Sequence, residues 1–144
     1  MSIRIFYDEI DFRFTGWKKA EKIIRKVIGK EQKISGDLNF IITNDKNLRE
    51  INVRFLEHDY NTDVITFNNS SENVIRGEIY ISLETVKQNS VNYNVSLRNE
   101  LFRIIIHGVL HLVGYDDKTE KDWRIMKGME DLWLKEIGES LDEV

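Results

Sequence analysis

The stretch SLRNELFRIIIHGVLHLVGYDD, residues 96–117, limits the fold more than any other part of the chain. It opens on a helix-capping residue, Ser96, becomes almost wholly apolar, and stops at Gly114, so it reads as one long core helix. Two of the three histidines in the chain, His107 and His111, lie inside the apolar run. Residues i and i+4 share a helix face, with Cβ atoms about 5–6 Å apart. Both imidazoles can therefore point at one ion. Gly114 lets the chain turn back, and Asp117 then falls where a third ligand is needed. Asp116 is a rival for that place, although the spacing favours Asp117. Tyr115 reads as packing. Glu100, two turns before His107 on nearly the same stripe, either supports a ligand or substrate or is a surface glutamate. The competing view of the histidine pair is two hydrogen-bonded core residues with no ion.

Composition decides which donors are available. The chain has no cysteine, which excludes disulfides and thiolate zinc sites. Any metal must be held by His, Asp or Glu, and zinc, one ion per chain, is the expected cofactor. Three protein ligands leave a coordination position for water, the arrangement of a catalytic zinc rather than a closed structural one. Zinc makes hydroxide available from that water near pH ~7. Zinc peptidases with ligands on a helix read H-E-x-x-H, the Glu being the general base. Here that position is Gly108, which weakens a peptide-hydrolase reading.

The 144 residues, 41% apolar and 32% charged, suit one globular domain over 1–144. SIRIFYD, DLNFIIT, DVITF and RGEIYIS read as strands, the last two separated by the polar NNSSEN as in a hairpin. GWKKAEKIIRKVIG is helical with Gly29 as its stop, and NDKNLREINVRFL starts at Asn44 or Asp45. SLETVKQNSV forms a short helix, and TEKDWRIMKGMEDLWLKEIG a last one capped by Thr119. The order β-α-β-α-β-β-α-α-α predicts an α+β fold. It has a single mixed sheet of about four strands packed with helices, and the zinc site at the end of the core helix. No run approaches the roughly 18 apolar residues of a membrane span. The N-terminal stretch alternates and carries early charge, unlike a signal peptide, so a cytoplasmic protein is expected. Net charge is −4, yet residues 17–33 hold seven Lys and Arg against two Glu. That helix, with Lys18, Lys19 and Lys22, is either a phosphate-contacting patch or a solvated face.

The stretch HGVLHLVGYDD resembles the signature H-G-x-L-H-L-x-G-Y-D-H of the YbeY endoribonucleases, bacterial rRNA maturation factors. TDVITF at 62–67 is similar to that family's T-D-V-L-S-F, and GEIYIS at 77–82 to its G-D-I-x-I-S. Met126 and Glu130 match its M-x-x-x-E. Together these span about residues 45–137 in matching order. The resemblance implies a single-strand-specific, metal-dependent endoribonuclease. Such an enzyme acts in 16S rRNA 3′-end maturation and late ribosome quality control, with the small ribosomal subunit as partner and no membrane. It also implies an α+β fold and His107, His111 and Asp117 as the ligands through which catalysis runs. Two departures stand out. The third family ligand is His where this chain has Asp117. Many members carry an arginine at the position of Leu56. Arg54 lies two residues before it and His58 two after, and either is a candidate substrate contact. Other readings are a zinc peptidase-like hydrolase and a ribosome-associated binding module with a structural metal.

Overall fold

A computed structural model describes residues 2–57 and 62–138. Strand β1 (Ile3–Tyr7) leads through helix α1 (Trp17–Lys30) to β2 (Ile34–Thr43). Helix α2 (Asp45–Leu56) follows, then β3 (Val64–Asn68), β4 (Val74–Ser82), α3 (Leu83–Asn92), α4 (Leu97–Leu112) and α5 (Glu120–Glu136). The sheet order is β1-β2-β4-β3. The first two pairings are parallel, and β3 joins β4 as the antiparallel hairpin expected from the polar segment between them. The fold is thus the expected α+β arrangement, one mixed sheet with helices.

Alternation along the strands decides which sheet face holds the core. Leu38, Phe40 and Ile42 of β2 and Ile79 and Ile81 of β4 are fully buried on one face. They meet the apolar stripe of α1, formed by Ala20, Ile23, Ile24, Val27 and Ile28. Helix α4 lies among these elements, packing on α1, α3, α5, β3 and β4. Its apolar sequence has this cause: it has neighbours on most sides. A Cβ placed on Gly108 would sit 3.1 Å from two Ile79 side-chain atoms, so the helix approaches β4 closely at that residue. On the other sheet face α2 packs against β3 and β4, and Phe55, Phe67 and Tyr80 form an edge-to-face row.

The helix ends follow local chemistry. Asn44, Ser96 and Thr119 each accept a hydrogen bond from the backbone N–H three residues on, as N-caps do. Gly29 does not stop α1, which continues to Lys30. The left-handed residue is Gln32, with φ 60°, and Lys33 N–H bonds back to Ile28 carbonyl. That six-residue closure ends the helix. The same closure ends α4, where Gly114 takes φ 113° and Tyr115 N–H bonds to Leu110 carbonyl. No helix among the described residues is long and apolar enough to cross a membrane.

Candidate metal centre

The turn at Gly114 brings three sequence-predicted ligands together. His107 Nε2 and His111 Nε2 are 3.0 Å apart. Asp117 Oδ2 lies 3.4 Å from the first and 3.5 Å from the second. A tetrahedral ion bound at 2.0–2.1 Å separates its ligand atoms by about 3.3 Å, so the triangle has the size one zinc-like ion requires. The other ring nitrogens are already engaged. His107 Nδ1 is 2.6 Å from Glu130 Oε2, and His111 Nδ1 is 3.1 Å from the carbonyl of Tyr115. Both partners are acceptors, so both Nδ1 atoms carry hydrogen. Each Nε2 is then left with its lone pair aimed into the triangle beside a carboxylate oxygen. Three acceptors so close repel unless a proton or a cation lies between them.

The neighbouring Asp116 is turned elsewhere. Its carboxylate accepts the backbone N–H of Asp117 at 2.8 Å and stands exposed. It braces the turn and leaves the triangle to Asp117.

Behind His107 lies a buried ionic chain that the sequence does not announce. Glu130, on α5, is 1% exposed and Glu100, on α4, is fully buried. Arg103 joins them, donating at 2.6 Å to Glu130 and through Nε and Nη2 at 2.9 Å each to Glu100. Glu100 is therefore no surface glutamate, and it reaches the histidine through Arg103 and Glu130 rather than by direct contact. Burial opposes a charged His107, but the Glu130 hydrogen bond and charge, with Asp117 and Asp63 behind, outweigh it and raise the imidazole above its usual value. Burial likewise pushes Glu130 up, and His107 and Arg103 overcome it and hold the carboxyl below its usual range. Without an ion, His107 thus tends to the imidazolium form, whose Nε2–H can donate to His111 Nε2. A proton then stands where a metal would bind. Sequence reasoning matched Glu130 to a motif but gave it no role, and it overlooked Arg103 and the Tyr115 carbonyl. Tyr115 does pack on the core as expected, and its hydroxyl donates to Glu31 at 3.1 Å.

A cleft of about 200 Å³ opens on the centre, lined by residues that include Asp63, Tyr93, His107, Asp117, Trp123 and Lys127. The other predicted contacts lie elsewhere. Lys18, Lys19 and Lys22 are on the exposed face of α1 and line no part of this cleft. Arg54 borders a separate hollow with Asp8, Glu9 and Phe55. His58 lies outside the described residues.

The family model described as Endoribonuclease YbeY matches residues 7–138. An endoribonuclease YbeY of Christiangramia forsetii is 40% identical over 126 residues, covering 88% of each chain. That of Flavobacterium psychrophilum is 42% identical over 130 residues, covering 90% of this chain and 93% of its own. A solution structure of a Thermotoga maritima protein superposes with TM-score 0.63 at 28% identity, covering 94% of this chain and 91% of its own. The match takes in every helix and strand except β1, of which it holds only the last residue, and on that ground the chain belongs to the endoribonuclease YbeY family.

Proposed function

We propose that the protein is a zinc-dependent endoribonuclease that cuts single-stranded RNA, with one ion per chain held by His107, His111 and Asp117. We place its work in the cytoplasm, in 16S rRNA 3′-end maturation and late quality control of the small ribosomal subunit. The observation that carries the metal reading is the triangle of lone pairs with both Nδ1 atoms already spoken for. Family membership carries the RNA reading. When bound, the ion supplies Lewis acidity for phosphodiester cleavage by water.

The chain's own groups do the rest. Glu130 and the Tyr115 carbonyl fix the ring orientations and hold the Nδ1 protons, which leaves each Nε2 free to bind metal. Arg103 neutralises Glu130, so that a buried carboxylate can face His107 without being protonated. Lys127 brings a cation to the cleft wall, where a phosphodiester would approach. The exposed lysines of α1 and Arg54 are proposed to meet phosphates farther along the strand. A peptidase reading is opposed by Gly108. That position faces Ile79 at packing distance, so a glutamate there would enter the core rather than the cleft. A closed structural metal is opposed by the cleft that opens on His107 and Asp117. Purified protein is to be offered single-stranded RNA and casein, each with and without chelator. RNA cleavage abolished by chelator and restored by zinc is expected, with casein intact. Chelator-resistant RNA cleavage, or casein hydrolysis, contradicts the proposal.

A further inference from the structure

Two large aromatic side chains stand unburied at the mouth of the cleft. Tyr93 is 57% exposed and Trp123 51% exposed, and both line the cleft that holds His107 and Asp117. They come from different elements: Tyr93 caps the C-terminus of α3, and Trp123 lies in the first turns of α5. One cation joins them. Lys127, a helical turn beyond Trp123, places its Nζ 5.7 Å from the Tyr93 ring centre and 5.8 Å from that of Trp123. Arg103, which grips Glu130 behind His107, also lies over the Tyr93 ring, at 5.3 Å. The mouth is therefore tied to the ligand side chain by a chain of contacts rather than carried on a loose loop.

Exposed rings gain little from water and gain much from another flat apolar face. An ammonium between two such rings suits a ligand with flat faces joined by anions. Carboxylates of Asp63, Asp117 and Glu130 also line the cleft, so a polyanion needs a cation at the entrance. A strand of RNA has this chemistry, and it offers base faces only when unpaired.

We infer that Tyr93 and Trp123 stack on nucleobases of the entering strand, with Lys127 on an intervening phosphate, and that this mouth is what restricts the centre to single-stranded RNA. The inference rests on the endoribonuclease reading and gives that reading its substrate-selecting residues. Stacking accepts any base, so the mouth selects strandedness and not sequence. A duplex keeps its base faces against one another and has none to offer.

The test uses zinc-loaded full-length protein and single-stranded RNA oligonucleotides, intact or with one abasic nucleotide beside the cut. Trp123→Ala and Tyr93→Ala are each expected to raise KM roughly ten-fold, the effect of losing one stacked base, with kcat nearly unchanged. Trp123→Phe and Tyr93→Phe, which keep a ring, should stay close to wild type. The abasic oligonucleotide should bind wild type as weakly as intact RNA binds the alanine variant of the ring facing the missing base. It should cost that variant little more, and cost the other variant as much as it costs wild type. Lys127→Gln should flatten the salt dependence of binding by about 0.7 in log–log slope. An active protein whose alanine variants keep the wild-type KM overturns the stacking inference alone, as does a phenylalanine variant as impaired as alanine. Wild type that neither binds nor cuts RNA overturns the endoribonuclease reading, and the inference falls with it.

Discussion

Asp116 and Asp117 are adjacent carboxylates whose directions separate their roles. Asp117 Oδ2 completes the triangle with two imidazoles, while Asp116 folds back on its neighbour's N–H. Asp117→Ala is expected to cost the protein most of its zinc affinity, because two ligands remain of three. Asp116→Ala should leave affinity nearly unchanged. Glu130→Gln sits between them. It keeps a hydrogen-bonding side chain beside His107 but loses the charge, and about a 10–100-fold weaker affinity is expected, as for other groups that orient a ligand. Competition against a chromophoric chelator measures all three. Zinc loss in Asp116→Ala with retention in Asp117→Ala would show that the ligand is the other aspartate.

Helices α4 and α5 are held together across the centre by Arg103, and this interaction is the least visible in the sequence. Arg103→Met removes a cation that contacts two buried carboxylates, Glu100 and Glu130. Breaking a buried ion pair from one side costs about 3–5 kcal/mol, so the urea midpoint of the metal-free variant should fall sharply. A midpoint within error of wild type would mean that the carboxylates find other partners. What could be read beforehand at this scale was local. Residues Ser96, Asn44 and Thr119 marked helix starts, because a cap bonds only three residues ahead. His107 and His111 announced a shared face, because one turn separates them. Glu130 is 23 residues from its histidine and 27 from Arg103, and no periodicity within one helix reports on a neighbour. In sequence it matched a motif, and nothing near it told which side chain it would hold. The strands showed the same limit. Alternation marked them and a polar turn paired β3 with β4, but nothing local placed β2 beside β4 with β3 at the edge. Gly29 misled because glycine is a frequent helix stop; the turn uses Gln32 instead.

Across the whole molecule, the proton and the metal compete for the same triangle, and stability should report it. In metal-free protein His107 is raised above its ordinary 6.5 by Glu130. The folded state then holds that proton more tightly than the unfolded chain does. This contribution is fully present below pH 6.5 and is lost as pH rises through the raised value. Glu130, held below its ordinary 4.5, contributes above that pH and loses its share as pH falls through the lowered value. Zinc needs the imidazoles neutral, so its stabilisation grows as pH rises. Thermal unfolding between about pH 6 and pH 8 should show the stripped protein losing Tm while the gap to the loaded protein widens. Parallel curves would mean that metal does not replace the His107 proton.

The most direct measurement is an add-back titration. Protein stripped by chelator receives zinc in fractions of an equivalent, and the initial rate of single-stranded RNA cleavage is followed. The rate should start near zero, rise in proportion to zinc and level off at about one equivalent per chain, as a three-ligand site for a single ion requires. His107→Ala/His111→Ala should stay flat throughout. Full cleavage before any zinc is added, or an equal rise in the double variant, would contradict a catalytic ion held by His107, His111 and Asp117.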